Sequence, residues 1–143
     1  MSATILEGLP GWARTLLEEE RVARLGLLDG SGGPRVLPVT YAIHEDAVWT
    51  AIDNKPKRPG GEPARVRWLQ ERPQAALTVD RYDEDWSQLR WVQLLGAVTI
   101  LPGPPAAGPA EALRERYPQY REDPPPGPLL KLVPERALHW RAT

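Results

Sequence analysis

The chain contains no cysteine and no phenylalanine, one methionine and two histidines. Without cysteine there is no disulfide framework, no thiolate nucleophile and no Cys-ligated zinc or iron–sulfur site, so the fold has to stand on its apolar core. With His44 and His139 as the imidazoles, and only three serines and seven threonines, a self-sufficient hydrolytic triad has few members to draw on. Enzymatic chemistry would then fall to a cofactor. No stretch approaches the roughly 20 apolar residues that span a bilayer, and Met1 to Gly11 has neither the basic start nor the apolar run of a signal peptide. The expectation is a soluble, cytoplasmic protein with no membrane partner. Charge excess is also missing: 18 basic residues face 19 acidic ones in 143, which excludes nucleic-acid binding driven by net charge. At 41% apolar and 26% charged residues the composition is that of one globular domain over residues 1–143.

What is present is proline and glycine, 17 and 12 residues, and they punctuate the chain. Apolar spacing at Trp12, Leu16 and Leu17 predicts an amphipathic N-terminal helix over about residues 9–20, with Pro10 in its first turn. Val22 to Asp29 reads as a strand, Asp29 to Pro34 as a turn, and the alternating run Arg35 to Ile43 as the second arm of a hairpin. His44 to Asp46 turns into a third strand, Ala47 to Asp53, which predicts a three-stranded antiparallel meander. A helix is expected from about Pro63 to Arg72, stopped by Pro73. Strands follow at Ala75 to Asp80 and Leu89 to Leu101, the latter with Gly96 as a bend or bulge. Pro-rich connections at about 102–109 and 123–128 flank a short helix, Ala110 to Tyr117. A last strand runs from Leu129 to Trp140, interrupted near Pro134. Six mostly antiparallel strands with peripheral helices predict a mainly β fold closed into a barrel, since closure removes exposed edges.

Two segments could carry chemistry. All but three of the basic residues are arginine, yet two of the three lysines sit together in Asn54-Lys55-Pro56-Lys57-Arg58. Flanking prolines reduce the entropy lost on fixing this loop, and its clustered cations suit an anionic partner such as phosphate. The alternative is a solvated basic turn, paired with the acidic loop after Asp80. That acidic loop, Tyr82-Asp83-Glu84-Asp85-Trp86-Ser87, lacks the spacing of a calcium site, so no metal is expected. It reads better as the cap of a pocket or a subunit contact, with Trp86 and Trp91 as flat apolar surface. His44, in a turn, and His139 read as surface or capping residues.

The order Val22-Ala23-Arg24-Leu25-Gly26, Val36-Leu37-Pro38-Val39-Thr40-Tyr41, Asp53 to Arg58, Val79 to Trp86, Trp91-Val92 with Gly96, and Val133 to Trp140 resembles the pyridoxamine 5′-phosphate oxidase-like split β-barrel family. Within it, the chain is similar to the F420-dependent branch of flavin/deazaflavin oxidoreductases. That resemblance implies a homodimer with cofactor sites at the subunit interface. It places Lys55, Lys57 and Arg58 at the cofactor phosphate, Val39, Thr40 and Tyr41 on the strand that passes the ring, and Trp91 and Gln93 on a strand approaching the cofactor. The implied activity is hydride transfer between reduced F420 and a small conjugated acceptor. FMN is the alternative cofactor, and a non-catalytic flavin or deazaflavin carrier the alternative function. Tyr41 and Tyr82 are the candidate proton donors. The chain departs from the family at Pro59-Gly60-Gly61-Glu62-Pro63, where an arginine-rich helix start is usual.

Overall fold

The computed structural model describes residues 4–52 and 63–143. Helix α1 (Gly11–Glu19) leads into strands β1 (Ala23–Leu28), β2 (Pro34–Val39), β3 (Ala42–His44) and β4 (Ala47–Ala51). Helix α2 (Ala64–Glu71) precedes β5 (Gln74–Arg81), a short 3-10 turn (Trp86–Gln88) and β6 (Arg90–Leu101). Helices α3 (Ala107–Arg116) and α4 (Pro118–Glu122) fill the connection to β7 (Leu129–Arg141). The seven strands form one sheet in the order β2-β1-β5-β6-β7-β4-β3, every described pairing antiparallel.

This order corrects two expectations. The run Arg35 to Ile43 is not one strand: it breaks after Val39, so the sheet has seven strands rather than six. Nor do the first strands form a meander, because among the described residues β2 pairs only with β1 and β3 only with β4, at opposite edges of the sheet. Thr40 and Tyr41 alone separate these edges in the chain, and two residues of backbone reach at most about 11 Å from Val39 to Ala42. The sheet therefore curls until its edges approach at this corner, which makes the fold a mainly β, split half-barrel with short peripheral helices.

Local sequence accounts for much of the rest. In the β1–β2 turn Asp29 Oδ1 accepts from the backbone amides of Gly33 at 2.8 Å and Ser31 at 3.0 Å and from the Ser31 hydroxyl at 3.0 Å. The Gly33 amide first, then the Ser31 hydroxyl and amide, hold this carboxyl below its ordinary range. Alternation in β1 buries Ala23, Leu25 and Leu27 and turns Arg24 and Leu28 outward. The inner face adds Leu77, Val79, Val92, Leu94, Leu130 and Leu132, sealed by Leu16 and Leu17 of α1 and Val66 and Leu69 of α2. A second cluster lies behind β4, where Trp49, Ala51 and Leu129 meet Leu113, Tyr117 and Tyr120. All of β4 is buried because both clusters use it.

The bend expected at Gly96 is present as a register shift, with the extra residue on the partner strand: Leu95 pairs with Arg136 and Gly96 with Pro134, leaving Glu135 unmatched. A Cβ at position 96 would collide with the Val133 carbonyl oxygen, so the close approach of β7 requires glycine there. Helix α3 starts earlier than the expected linker allowed, and α4 was not anticipated. No helix among the described residues is long and apolar enough to cross a membrane.

Candidate functional site

The outer face of β1, β5 and β6 carries a groove of about 410 Å³ lined by Arg24, Thr78, Asp80, Trp91 and Gln93. Sheet register assembles it. Arg24 lies opposite Thr78, Thr78 opposite Gln93 and Asp80 opposite Trp91, all at outward positions of their strands. Arg24 Nη1 donates to Asp80 Oδ1 at 2.8 Å, and Gln93 Nε2 donates to Thr78 Oγ1 at 3.1 Å. With side chains 56% and 43% exposed, the Arg24–Asp80 pair adds little to stability. Its place is better explained by what it presents: a carboxylate acceptor beside guanidinium and amide donors. Trp91 supplies a flat wall, and Trp140, its cross-strand neighbour on β7, extends that wall. The volume falls in the range of small-molecule sites.

The anticipated site residues separate into distinct places. Trp91 and Gln93 line this groove. Val39 is buried in the main core, and Thr40 Oγ1 lies 2.7 Å from the Tyr120 hydroxyl. Tyr41 is fully buried, its hydroxyl donating to the Leu17 carbonyl at 2.6 Å with the Glu20 carbonyl at 3.1 Å. Burial pushes the Tyr41 hydroxyl well above its ordinary value, against the opposing Arg116 charge, so it stays protonated and committed to the end of α1. Tyr82 stands on the β5–β6 loop, 63% exposed, with the Trp86 indole nitrogen 3.5 Å from its hydroxyl. Lys55, Lys57 and Arg58 lie outside the described residues.

The acidic loop is internally braced. Asp85 accepts from the Ser87 hydroxyl at 2.7 Å and the Ser87 amide at 3.1 Å, and these bonds, the hydroxyl first, hold its carboxyl below the ordinary range. Arg81, at the loop's base, instead turns inward to Glu19 at 2.9 Å and Glu20 at 3.0 Å, tying β5 to α1. Sequence reading missed Arg24 and Thr78 as site residues and took Asp80 only as part of the acidic loop. Outward alternation in β1 and β5 was the available signal.

These features define a small antiparallel split barrel with a polar, tryptophan-walled groove on the outer face of its sheet. The family model for pyridoxamine 5′-phosphate oxidase matches residues 9–141, and the chain belongs to that family. Among solved structures, it is similar to a conserved hypothetical protein from Mycobacterium tuberculosis at 17% identity, covering 98% of this chain and 90% of that one with a TM-score of 0.72. It is similar to an F420 reductase at 21% identity, covering 91% and 98% with a TM-score of 0.65. A FAD-binding protein from Mesorhizobium loti aligns at 16% identity over 94% and 96% with a TM-score of 0.65. At these identities the likeness is one of fold. No curated protein matches the chain.

Proposed function

We propose that this protein is a flavin-type oxidoreductase that uses reduced F420 to deliver hydride to a small conjugated organic acceptor. The observation that carries the reading is the groove. The pyrimidinedione edge shared by flavins and deazaflavins presents carbonyl, N–H and carbonyl in turn. Asp80 offers an acceptor for the N–H, while Arg24 and Gln93 offer donors for the carbonyls. Trp91 offers a face for the ring. When bound, the cofactor supplies the hydride; the protein binds, orients and shields it. The basic run Lys55-Pro56-Lys57-Arg58 suits the phosphate. FMN is the second reading: the same groove chemistry suits its ring, and one structural neighbour is named as binding FAD, which carries that same ring.

The site is proposed to be completed in a homodimer. The sheet face around the groove leaves Val36 67%, Trp140 46% and Leu28 36% exposed, with Leu95 and Leu138 beside them, an apolar surface suited to a second copy. Such a partner would add a second wall to a groove that one subunit leaves open.

Titration of the purified protein with F420 and with FMN, read by absorbance and fluorescence, tests the reading. Binding of F420 and oxidation of its reduced form by enones or quinones is expected. Tight FMN binding without response to F420 would select the second reading, and binding without turnover would make the protein a carrier. Exchange of Lys55 and Lys57 together for alanine is expected to weaken binding at least tenfold, more so at low salt, while leaving apo-protein melting almost unchanged. Equal affinity in the double variant would remove the phosphate assignment.

A further inference from the structure

One rung at the end of the sheet carries three arginines abreast. Arg81 on β5 lies opposite Arg90 on β6, and Arg90 lies opposite Arg141 on β7. The neighbouring rung, Asp80, Trp91 and Trp140, faces outward, so the arginines, one position along each strand, face the other side of the sheet. Helix α1 crosses this end of the barrel. At one side Arg81 reaches Glu19 at 2.9 Å and Glu20 at 3.0 Å, and at the other the Arg141 guanidinium lies over the Trp12 ring at 5.4 Å. From Trp12 to Glu19 the helix rises about 10 Å, which matches the two strand spacings, about 10 Å together, that separate β7 from β5.

The carboxylates of α1 lie at its C-terminal end, over β5, and Arg81 takes them. Among the described residues neither Arg90 nor Arg141 forms an ion pair. Arg90 is half-buried and its Nε donates to the Gln88 carbonyl at 3.1 Å. Arg141 is exposed and rests on Trp12, whose ring also meets His139 edge to face at 5.7 Å. The adjoining acidic loop supplies no counter-charge, since Asp83 and Asp85 accept from amides of the loop itself.

Directly opposed residues of neighbouring antiparallel strands hold their Cβ atoms about 5 Å apart, and like charges placed so repel. The chain has 19 acidic residues to its 18 basic ones, yet none is spent on this pair. An anion between the two guanidiniums would relieve the repulsion, each presenting a fork of N–H donors matched to carboxylate or phosphate oxygens. Two fixed cations suit a dianion better than a single charge.

We propose that Arg90 and Arg141 form a binding site for a small dianionic oxyanion, a phosphate or a dicarboxylate, at the α1 end of the barrel. Arg90 is held by the Gln88 carbonyl, and Arg141 is steadied against Trp12, which lowers the entropy lost on binding. The site shares no residue with the groove or with the Lys55–Arg58 run, so it stands apart from the functional reading above.

Isothermal titration calorimetry at low salt with sodium phosphate and with sodium succinate tests this, in protein carrying Lys55→Ala and Lys57→Ala so that the basic run does not contribute. Binding at one site with a dissociation constant of about 1 mM is expected, weakened by added sodium chloride. Arg90→Gln and Arg141→Gln should each raise that constant at least tenfold. Arg114→Gln, which removes the same charge from α3, should leave it unchanged. Arg90→Gln should melt no lower than its parent in the absence of anion, because the repulsion goes with the charge. Binding of phosphate alone, or of succinate alone, with this pattern of variants supports the site and names its ligand class. No saturable binding of either anion up to about 50 mM, or equal weakening by Arg114→Gln, overturns it. A lowered melting temperature in Arg90→Gln with anion binding unchanged would make the arginines structural and overturn it as well. None of these outcomes bears on the titrations with F420 and FMN.

Discussion

Replacing Tyr41 by phenylalanine separates two roles that the sequence alone leaves open for this residue. The ring is fully buried and would stay so, because phenylalanine occupies nearly the same volume. What disappears is the 2.6 Å bond to the Leu17 carbonyl and the 3.1 Å approach to Glu20. The Glu20 carbonyl keeps its bond from Arg116, whereas the Leu17 carbonyl loses the phenol that faces it. Loss of one buried bond together with the orphaned acceptor costs about 2 kcal/mol. At about 3 °C per kcal/mol for a chain of this size, the melting temperature should fall by about 6 °C. A pH dependence accompanies this. Burial raises the Tyr41 hydroxyl above its unfolded value, so its stabilising bonds are fully present below about pH 10 and are lost as pH rises beyond it. The melting temperature of wild type should therefore drop more steeply in alkali than that of Tyr41→Phe. Calorimetry or circular dichroism at pH 7 and above pH 10 reads both effects. An unchanged melting temperature at pH 7 coupled with abolished turnover would refute the reasoning and make Tyr41 a proton donor after all.

Gly96→Ala should cost about 2–3 kcal/mol, because the new methyl group meets the Val133 carbonyl and the backbone of β7 has to retreat; chemical denaturation that shows a midpoint equal to wild type would exclude that contact. Asp29→Asn should abolish the acid-side loss of stability traced to the β1–β2 turn. The wild-type carboxyl is depressed, so its contribution is present above about pH 4 and fades as pH falls through its lowered value, a difference visible in melting curves taken between pH 2 and 5. Leu95→Arg, on the exposed sheet face, should convert a dimer to a monomer in light scattering while the monomer still folds, and a variant that remains dimeric would move the subunit contact elsewhere.

Features written in short-range code were legible in the sequence. The Asp29 to Pro34 turn, the helix ended by Pro73 and the irregularity at Gly96 each follow from residues whose backbone preferences act within a few positions. The Thr40–Tyr41 corner does not. Thr40 and Tyr41, where the strand breaks, carry no turn signal of their own, and the break is stabilised by Tyr117 and Tyr120 from the far end of the chain. The first turn of helix α3 was concealed in a similar way, since Gly108 and Pro109 read as linker while the helix was expected from Ala110. A Cβ at Gly108 would sit 2.5 Å from His44 Nε2 on β3, so a larger residue there would displace the imidazole. At the groove, the family resemblance brought out Trp91 and Gln93. Arg24 and Thr78 emerged only with the pairing of β1 to β5, which joins residues more than fifty positions apart.

The unmatched residue on β7 has a consequence for how that strand can change. Its outward side chains occupy odd positions up to Val133 and even positions from Arg136 onward, and Glu135 alone accounts for the switch of parity. Drawn into the ladder, Glu135 would rotate everything after it by one place, carrying Arg136 toward the interior and Trp140 away from the rim it shares with Trp91. Removing Glu135 would leave Trp140 where it is; absorbing it would not. The length of this short stretch, more than its composition, decides which aromatic surface the sheet displays.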